Sequence, residues 1–394
     1  MRSISLIAPA FALALAASCA GSGRYYPCNP DAGDCGSAGN LPDGGRPDTP
    51  FVSQASTVWH DGQHDASTDL VRFSGALYAA FRHASAWQLD SSAQVFIIRS
   101  DDKGQSWRKV AAIDGGGRDL REPKLAVFRD RLWVFATAWE AADPSAHRTT
   151  LRAAVSDDGA TFGPLREVLP QATGLAAWRP RAVGSVLVLS AWNADELLPS
   201  STPNHLNVLE SGDGASFTLA STPAAAGPGA RQGELFVRAN GDHYLALPER
   251  ADNGAPERQT FCHSPALSDW TCWSVAGRHV DAPVLFEWNG VLFVAGRHDT
   301  GSGRKRTAIW QVLEDDHDLS LIADVPQGFG DTGAPGVVLL DRDHALLTFH
   351  TTSPVDARVQ ALGHEPTEVE AQSLGLPADV LSVVLSMPSA AAGR

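Results

Sequence analysis

The chain has 394 residues, of which 43% are hydrophobic and 19% are charged. This composition excludes a disordered or fibrous protein and provides enough apolar side chains for a sizeable core. The formal net charge is −14, which argues against a nucleic-acid partner because phosphate binding requires a basic surface.

Residues 1–18 have the composition of an export signal. Arg2 precedes an apolar run, Ile4–Ala17, that suits a signal peptide and is too short to cross a bilayer. The run leads through Ser18 to Cys19, and this junction resembles the lipobox of bacterial lipoproteins, in which the cysteine is lipidated. We therefore expect export and lipid anchoring through Cys19, with the outer membrane favoured; simple secretion is the alternative.

Four cysteines remain, and they form two local pairs: Cys28 with Cys35, and Cys262 with Cys272. An exported protein can oxidise both pairs. The sequence has no Cys-x-x-Cys or His/Cys grouping with zinc spacing, so we expect no metal site and no cofactor. Residues 19–55 are rich in Gly, Pro and Asp, which is typical of a flexible tether.

A short turn sequence then repeats at an even interval. The first copy reads Ser-x-Asp-x-Gly-x-x-Trp from Ser100, shorter copies begin at Ser156 and Ser211, and a degenerate copy begins at Ser264. The aspartate can accept backbone N–H groups, and the glycine supplies a positive φ. We expect these turns to stabilise the outer rim of the fold and to bind no ligand.

A second repeat has six copies, each a short apolar run, a turn and a longer apolar run. The copies begin at Thr68, Pro123, Pro180, Gly233, Pro283 and Pro335. Two further strand-like segments belong to each unit, and four strands per unit of this length are typical of a β-propeller blade. The sequence therefore predicts an all-β fold, a six-bladed β-propeller over residues 56–362, and a C-terminal extension, residues 363–394, of unknown structure.

Two features of this propeller follow from the placement of the strands. A disulfide between Cys262 and Cys272 would join the third and fourth strands of blade four. Blade six lacks an obvious fourth strand after Arg358–Leu362, and we expect Ser56–Trp59 to supply it and close the ring. The apolar stretch Val380–Leu385 has no assigned place.

The order of the motifs resembles the bacterial sialidase-like β-propellers that carry Asp-box turns. The resemblance rests on Thr68-Asp69-Leu70, Asp119–Leu125, Trp178-Arg179, Gly233-Glu234 and Ala295–Arg297, and it covers nearly all of the folded body. It implies a glycan ligand whose carboxylate is held by three arginines. Bidentate arginine suits that task because its planar fork matches a carboxylate.

Three blades end the same inner strand with arginine, and these are the candidate clamp residues: Arg82, Arg250 and Arg297. The other three blades end it with side chains that could stack on a sugar ring: Trp139, Trp192 and His350. Arg121 and Arg179 precede inner strands and could make the channel mouth basic. The alternatives are solvated strand ends, or ion pairs with acids such as Glu249, Asp69, Glu122 and Glu234.

Glu234 is the candidate general base or orienting carboxylate, and Asp69 is the candidate acid. The resemblance also implies a tyrosine nucleophile late in the chain, but blade six has Phe349-His350-Thr351 there. The predicted function is an exported sialidase-like glycoside hydrolase acting on sialic-acid-type or other glycans. The alternatives are a non-catalytic propeller that binds glycan or protein, and a lipoprotein scaffold. A monomer is expected, with an anionic glycan or a glycoprotein as partner and membrane contact through the lipid alone.

The anchoring hypothesis predicts that Cys19→Ser releases the protein from the membrane fraction. The body should stay folded with both remaining cysteine pairs oxidised, because neither depends on the lipid. Fractionation and labelling with a radioactive lipid precursor measure the outcome. A wild-type protein that never takes up the label would instead indicate simple secretion.

Overall fold

The computed structural model of the protein describes residues 51–140, 149–169, 174–193, 206–223, 231–249, 257–301 and 303–387. The chain divides into two units, Met1–Asp48 and Thr49–Arg394. The first unit, which contains Cys19, Cys28 and Cys35, lies outside the described residues. No helix in the described part of the second unit is long and apolar enough to cross a bilayer.

Two short helices apart, the regular elements of the described residues are β-strands, which confirms the predicted all-β class. The first strands are β1 (Ser56–Trp59), β2 (His64–Phe73), β3 (Ala76–Ala84), β4 (Gln94–Ser100), β5 (Arg108–Asp114), β6 (Arg118–Phe128), β7 (Arg131–Glu140), β8 (Thr149–Ser156), β9 (Arg166–Glu167), β10 (Leu175–Ala177), β11 (Arg181–Val183) and β12 (Val186–Asn193). The remaining strands are β13 (Asn207–Ser211), β14 (Thr218–Ser221), β15 (Glu234–Val237), β16 (His243–Glu249), β17 (Arg258–Ser264), β18 (Thr271–Ala276), β19 (Asp281–Trp288), β20 (Val291–Asp299), β21 (Lys305–Leu313), β22 (Asp318–Phe329), β23 (Gly333–Leu339), β24 (His344–Thr352) and β25 (Ala378–Ser386), with helices α1 (Ala357–Ala361) and α2 (Glu368–Ser373) between β24 and β25.

The strands pair in small antiparallel sheets whose order follows the chain. The sheets β6 to β9, β15 to β18 and β19 to β22 have four strands each, and in the sheet β10 to β14 both β10 and β11 pair with β12. In an eight-stranded sheet, β2 to β5 meet the group β23, β24, β25 and β1 through one parallel pair, His64 and Ala378. These sheets form a β-propeller.

Burial within each sheet explains the sequence pattern. The second strand is covered on both faces by neighbouring sheets, so β3 and β7 are almost continuously buried. The fourth strands β5 and β18 are half exposed and correspondingly polar. Hydrophobic clusters fill the space between adjacent sheets; one of them joins Phe135 on β7 to Leu189 on β12. The long apolar runs seen in the sequence are therefore the second strands of their sheets.

The last sheet combines strands from both ends of the described chain. Ser56 pairs with Ser382 and Thr57 with Leu381, so β1 lies beside β25 as the closing strand. This confirms the role expected for Ser56–Trp59. The prediction that Arg358–Leu362 forms the strand before this closing strand is wrong. That segment belongs largely to α1, whose N-terminus is capped by the Asp356 carboxylate.

The previously unplaced apolar stretch lies within β25 and is the third strand of that sheet, paired with β24 along its whole length. The sheet therefore continues past residue 362, the predicted end of the propeller. Helix α2 lies in the insertion between β24 and β25 and begins with a capping box formed by Thr367 and Glu370. The insertion separates β25 from its partner strand in the sequence.

The repeated serine–aspartate turns connect the third and fourth strands of their sheets. In the second copy, Asp158 Oδ1 accepts the backbone N–H groups of Ala160 and Thr161 at 2.8 and 2.7 Å, and Ser156 Oγ accepts that of Gly159 at 2.8 Å. These bonds lower the pKa of Asp158. The turn is thus held by its own side chains.

Each turn glycine also packs against the second strand of the preceding sheet. A Cβ on Gly159 would lie 2.4 Å from Tyr78 Oη, and one on Gly214 would lie 2.8 Å from Trp133. In the degenerate fourth copy Leu267 takes the glycine position with φ +61°. It packs on a cluster containing Val188, which occupies the same place in its strand as Trp133. A smaller neighbour accommodates the larger turn residue.

The disulfide between Cys262 and Cys272 is present, with an S–S distance of 2.06 Å. It joins β17 to β18 at directly opposed positions. The prediction that this pair staples the third and fourth strands of its unit is confirmed. It lies in the same unit as Leu267, where the turn has lost its glycine.

The turn packing predicts a difference between two glycines of similar backbone conformation. Gly159→Ala should lower the free energy of unfolding more than Gly290→Ala, although both have positive φ, at +75° and +79°. At Gly290 the new methyl group meets no atom within 4 Å, so only the backbone penalty of about 1–2 kcal/mol applies. At Gly159 the contact with Tyr78 adds about 1–3 kcal/mol of overpacking.

Urea unfolding followed by tryptophan fluorescence measures both variants. Equal losses of stability would show that the turn does not press on the neighbouring sheet.

Candidate functional site

The side chain of Arg179 lies where the first strands of several sheets converge. Its Nε donates to Asp69 Oδ1 on β2 at 2.8 Å, and its Nη1 donates to Glu234 Oε2 on β15 at 2.6 Å. Its Nη2 donates to the carbonyl oxygen of Pro335 on β23 at 2.8 Å. Arg179, a residue that is only 2% exposed, therefore connects three strands through its guanidinium.

The structure brings the predicted acid and base, Asp69 and Glu234, together on this arginine. Their remaining oxygens are also occupied: Arg181 Nη2 donates to Glu234 Oε1 at 2.5 Å, and the backbone N–H of Leu125 donates to Asp69 Oδ2 at 2.7 Å. Both acids are fully buried. This arrangement matches the ion-pair alternative of the sequence analysis and leaves neither carboxylate open to a ligand.

Lys124 completes the buried network. Its Nζ donates to the carbonyl oxygen of Thr68 at 3.2 Å and lies 4.1 Å from the centre of the Trp178 ring. Burial lowers the pKa of Lys124 to about 8. The positive charges of Arg179, which was expected at the channel mouth, and of Lys124 therefore lie inside the protein and contact its own strands.

A different set of residues lines a cavity of about 720 Å³. Three tryptophans form part of its wall, Trp87, Trp139 and Trp192, together with His350. The inner-strand residues expected to offer stacking surfaces thus face a common space. The Nε1 atom of Trp139 is buried and has no hydrogen-bond partner among the described residues.

Arg82 and Arg121 line the cavity, but both hold the same carboxylate. Arg82 donates from Nε and Nη2 to the two oxygens of Asp119 at 2.7 and 2.8 Å, and from Nη1 to the carbonyl oxygen of Ala86 at 2.9 Å. Arg121 Nε donates to Asp119 Oδ2 at 2.9 Å, and its guanidinium lies 5.4 Å from the centre of the Trp87 ring. Asp119, which is fully buried, neutralises much of the positive charge on this wall.

Arg297 occupies another part of the wall and is also paired. Its Nη1 donates to Glu368 Oε1 on α2 at 2.5 Å, and its Nη2 donates to Asp281 Oδ2 at 3.1 Å. Arg250, the third member of the predicted clamp, lies outside the described residues. The two described members, Arg82 and Arg297, reach the same cavity, and each already binds carboxylates of the chain.

Asp331 is the buried carboxylate of the cavity wall, and two imidazoles face it. His64 Nε2 lies 3.0 Å from its Oδ2, and His350 Nε2 lies 3.6 Å from its Oδ1. The backbone N–H of Ser67 donates to His350 Nδ1 at 3.3 Å, which places the proton of neutral His350 on Nε2, towards Asp331. Burial alone would raise the pKa of Asp331, but its contacts with His350 and His64 hold that pKa well below its usual range.

Glu122 is another carboxyl group on the cavity wall, and its environment shifts its pKa in the opposite direction to that of Asp331. Burial raises the pKa of Glu122 above its ordinary value, although Gln232 Nε2 donates to its Oε1 at 2.6 Å. Its backbone has φ +52°, an uncommon conformation for a residue with a side chain. The pKa values of these two carboxyl groups on the cavity wall are therefore shifted in opposite directions.

The sequence analysis did not select Glu122 or Asp331 as site residues, but the second repeat contains a usable signal. Asp119 and Asp331 each stand four residues before a repeat start, at Pro123 and Pro335, and His64 stands four before Thr68. All three belong to the cavity wall or hold its arginines. Counting positions from the start of each repeat, which identified the arginines, therefore also identifies His64, Asp119 and Asp331.

No protein-family model matches the chain, and no curated protein matches it significantly. Solved structures share its fold. A protein of unknown function from Dyadobacter fermentans is 16% identical, with a TM-score of 0.64, over 86% of this chain and 100% of that chain. An alpha-L-arabinanase from Penicillium chrysogenum, solved with arabinobiose, is 12% identical, with a TM-score of 0.59, over 84% of this chain and 98% of that chain.

A sialidase from Trypanosoma rangeli is 12% identical, with a TM-score of 0.59 over 82% of this chain, and the match spans 55% of the sialidase. At these identities the likeness concerns the fold. The chain has a β-propeller fold like those of sialidase and arabinanase, and these neighbours are glycoside hydrolases.

The buried network predicts that Arg179→Met destabilises the protein by about 3–5 kcal/mol, because Asp69 and Glu234 would remain buried without their shared partner. Arg72→Met is the matched control, since the exposed Arg72 donates only to the carbonyl oxygen of Leu339 at 3.2 Å. Urea unfolding midpoints measure both, with Glu234→Gln as a milder variant if Arg179→Met does not fold. Midpoints within error of the wild type for Arg179→Met and Glu234→Gln would contradict the structural role.

Proposed function

We propose that the protein is a glycoside hydrolase whose cavity binds a sugar ring and cleaves its glycosidic bond. The observation that carries the proposal is a pair of carboxyl groups on one cavity wall, Glu122 with a raised pKa and Asp331 with a lowered pKa. Glycoside cleavage commonly uses two carboxyl groups in these two states. The glycoside hydrolases among the structures of similar fold support the same class of reaction.

The tryptophans support a sugar as the ligand. A pyranose or furanose ring has an apolar face and polar edges, which suits aromatic planes beside hydrogen-bonding groups. Trp87, Trp139 and Trp192 supply the planes, and charged and polar side chains share the wall with them.

Within this proposal the two carboxyl groups have different tasks. Glu122, whose pKa is raised by burial, donates a proton to the leaving oxygen as the general acid. Asp331, which His64 and His350 approach to 3.0 and 3.6 Å, acts as base or nucleophile towards the anomeric carbon. The pair replaces Asp69 and Glu234, whose oxygens are all occupied in the buried network, and it requires no late tyrosine.

The occupied arginines bear on the choice between an acidic and an uncharged glycan. A sialic-acid-type ligand would have to displace Asp119 from Arg82, or Asp281 and Glu368 from Arg297. Each exchange would leave a chain carboxylate without its partner, which is costly in a buried setting. We therefore propose an uncharged glycan as the preferred substrate, with an anionic sugar as the second class.

Two further expectations belong to the proposal. The eight-stranded sheet is interpreted as two blades joined at His64 and Ala378, which makes the propeller six-bladed. The protein is proposed to act outside the cytoplasm as a monomer, anchored through Cys19 or secreted, where a glycan or glycoprotein would be accessible.

The proposal predicts hydrolysis of at least one member of a panel of aryl glycosides that covers uncharged sugars and a sialoside. Glu122→Gln and Asp331→Asn should each lower kcat by about 10²–10⁴-fold, the usual worth of acid–base assistance. For Glu122→Gln the loss should shrink with leaving groups that need no proton. Glu234→Gln is the contrasting variant, which should lose stability but keep the kcat of its folded fraction.

Selective loss of kcat in folded Glu234→Gln would return the catalytic role to the buried pair. Sugar binding by isothermal titration without turnover of any glycoside would select the non-catalytic glycan-binding alternative.

The pKa directions predict the pH dependence. Because the pKa of Glu122 is raised above 4.5, its proton is retained to higher pH, and activity should fall as pH rises through that raised value. Because the pKa of Asp331 is lowered below 3.8, the acidic loss of activity should lie below that value. The measurement is kcat/KM against pH, and an alkaline limb that persists unchanged in Glu122→Gln would contradict the assignment.

A further inference from the structure

A cluster of three potential metal ligands lies outside the cavity wall. Asp61 belongs to the turn between β1 and β2, Asp65 lies on β2, and His83 lies opposite Asp65 on β3. One ligand atom from each side chain lies within 4.8 Å of the other two. His83 Nδ1 is 2.8 Å from Asp65 Oδ1 and 3.6 Å from Asp61 Oδ2.

One oxygen of the Asp65 carboxylate is buried without a hydrogen-bond donor among the described residues. Asp65 is fully buried, and this oxygen is its Oδ2. The neighbouring Asp61 is another carboxylate, which offers no donor unless one of the two acids carries a proton. Among the described residues no lysine or arginine forms an ion pair with Asp61 or Asp65. A buried carboxylate oxygen in this position requires a positive charge or a proton.

We propose that this cluster binds a divalent transition-metal ion of the zinc class. Two carboxylates and one imidazole nitrogen form a ligand set that suits zinc better than calcium, which prefers oxygen ligands alone. The short distances from His83 Nδ1 to both acids are compatible with ligand atoms about 2.0–2.2 Å from one ion. The side chains of Asp61 and His83 are 32% and 22% exposed, which gives the ion a route from solvent and leaves a position for water.

The surrounding contacts hold the three side chains in place. The His83 ring stacks on Phe96 with 3.9 Å between the ring centres. Trp59 Nε1 on β1 donates to Asp61 Oδ2 at 3.0 Å, and Asp61 Oδ1 accepts the backbone N–H of Gln63 at 3.1 Å. Asp61 thus lies on the crossover from the closing strand β1 to β2. An ion bound here would tie that crossover to the first sheet, independently of any reaction in the cavity.

The test uses the full mature chain without a histidine tag, stripped with EDTA and titrated with ZnCl2 by calorimetry. We expect one zinc ion per chain and a rise in melting temperature on binding, because a ligand that binds only the folded state stabilises it. Asp65→Asn and His83→Gln should weaken zinc binding by about tenfold or more. Asp61→Asn, at an exposed position, provides the same readout if the substitution at Asp65 prevents folding.

Two control variants separate this site from other histidine–aspartate pairs. His344→Gln removes an exposed imidazole 2.9 Å from Asp341, and Asp331→Asn alters the carboxylate of the cavity. Both should bind zinc as the wild type does. Absence of stoichiometric zinc uptake would overturn the proposal. Zinc binding that survives both Asp65→Asn and Asp61→Asn would place the ion elsewhere.

Discussion

The buried positive charge of Arg179 is the constraint on which the rest of the structure depends. A guanidinium withdrawn from water costs several kcal/mol unless opposite charges and acceptors surround it. Its partners Asp69, Glu234 and the carbonyl oxygen of Pro335 come from β2, β15 and β23, far apart in the sequence. The charge is compensated only when these strands have all arrived, so the network favours the complete ring over partial assemblies.

The same constraint determines which acids have a free oxygen. Asp69 and Glu234, the acids nearest the converging strands, are paired with Arg179 and Arg181, and a second group of acids lies on the cavity wall. There Asp119, Asp281 and Glu368 counterbalance the arginines. The wall is consequently rich in charged groups but low in uncompensated charge, and the pKa values of Glu122 and Asp331 are shifted in opposite directions there.

Much of the fold could be predicted from periodicity, because each second strand is buried on both faces and reads as a long apolar run. The strand β25 could not, since an insertion with α1 and α2 separates it from its partner β24. In the site, register placed Arg82, Trp139, Trp192 and His350 correctly on the cavity wall. It could not show that Asp119 and Glu368 occupy the arginines, because those contacts join separate segments of the chain.

The pairing of β1 with β25 has a consequence for how the protein is made. A chain that emerges from its N-terminus presents Ser56–Trp59 early, whereas Ala378–Ser386 follows only after all the other strands. The strand β1 must therefore wait for its partner β25 through most of synthesis, and such long-range pairing is slow to form. Pairing of the first and last strands is a late event, and the sheet that contains both stays incomplete until it occurs.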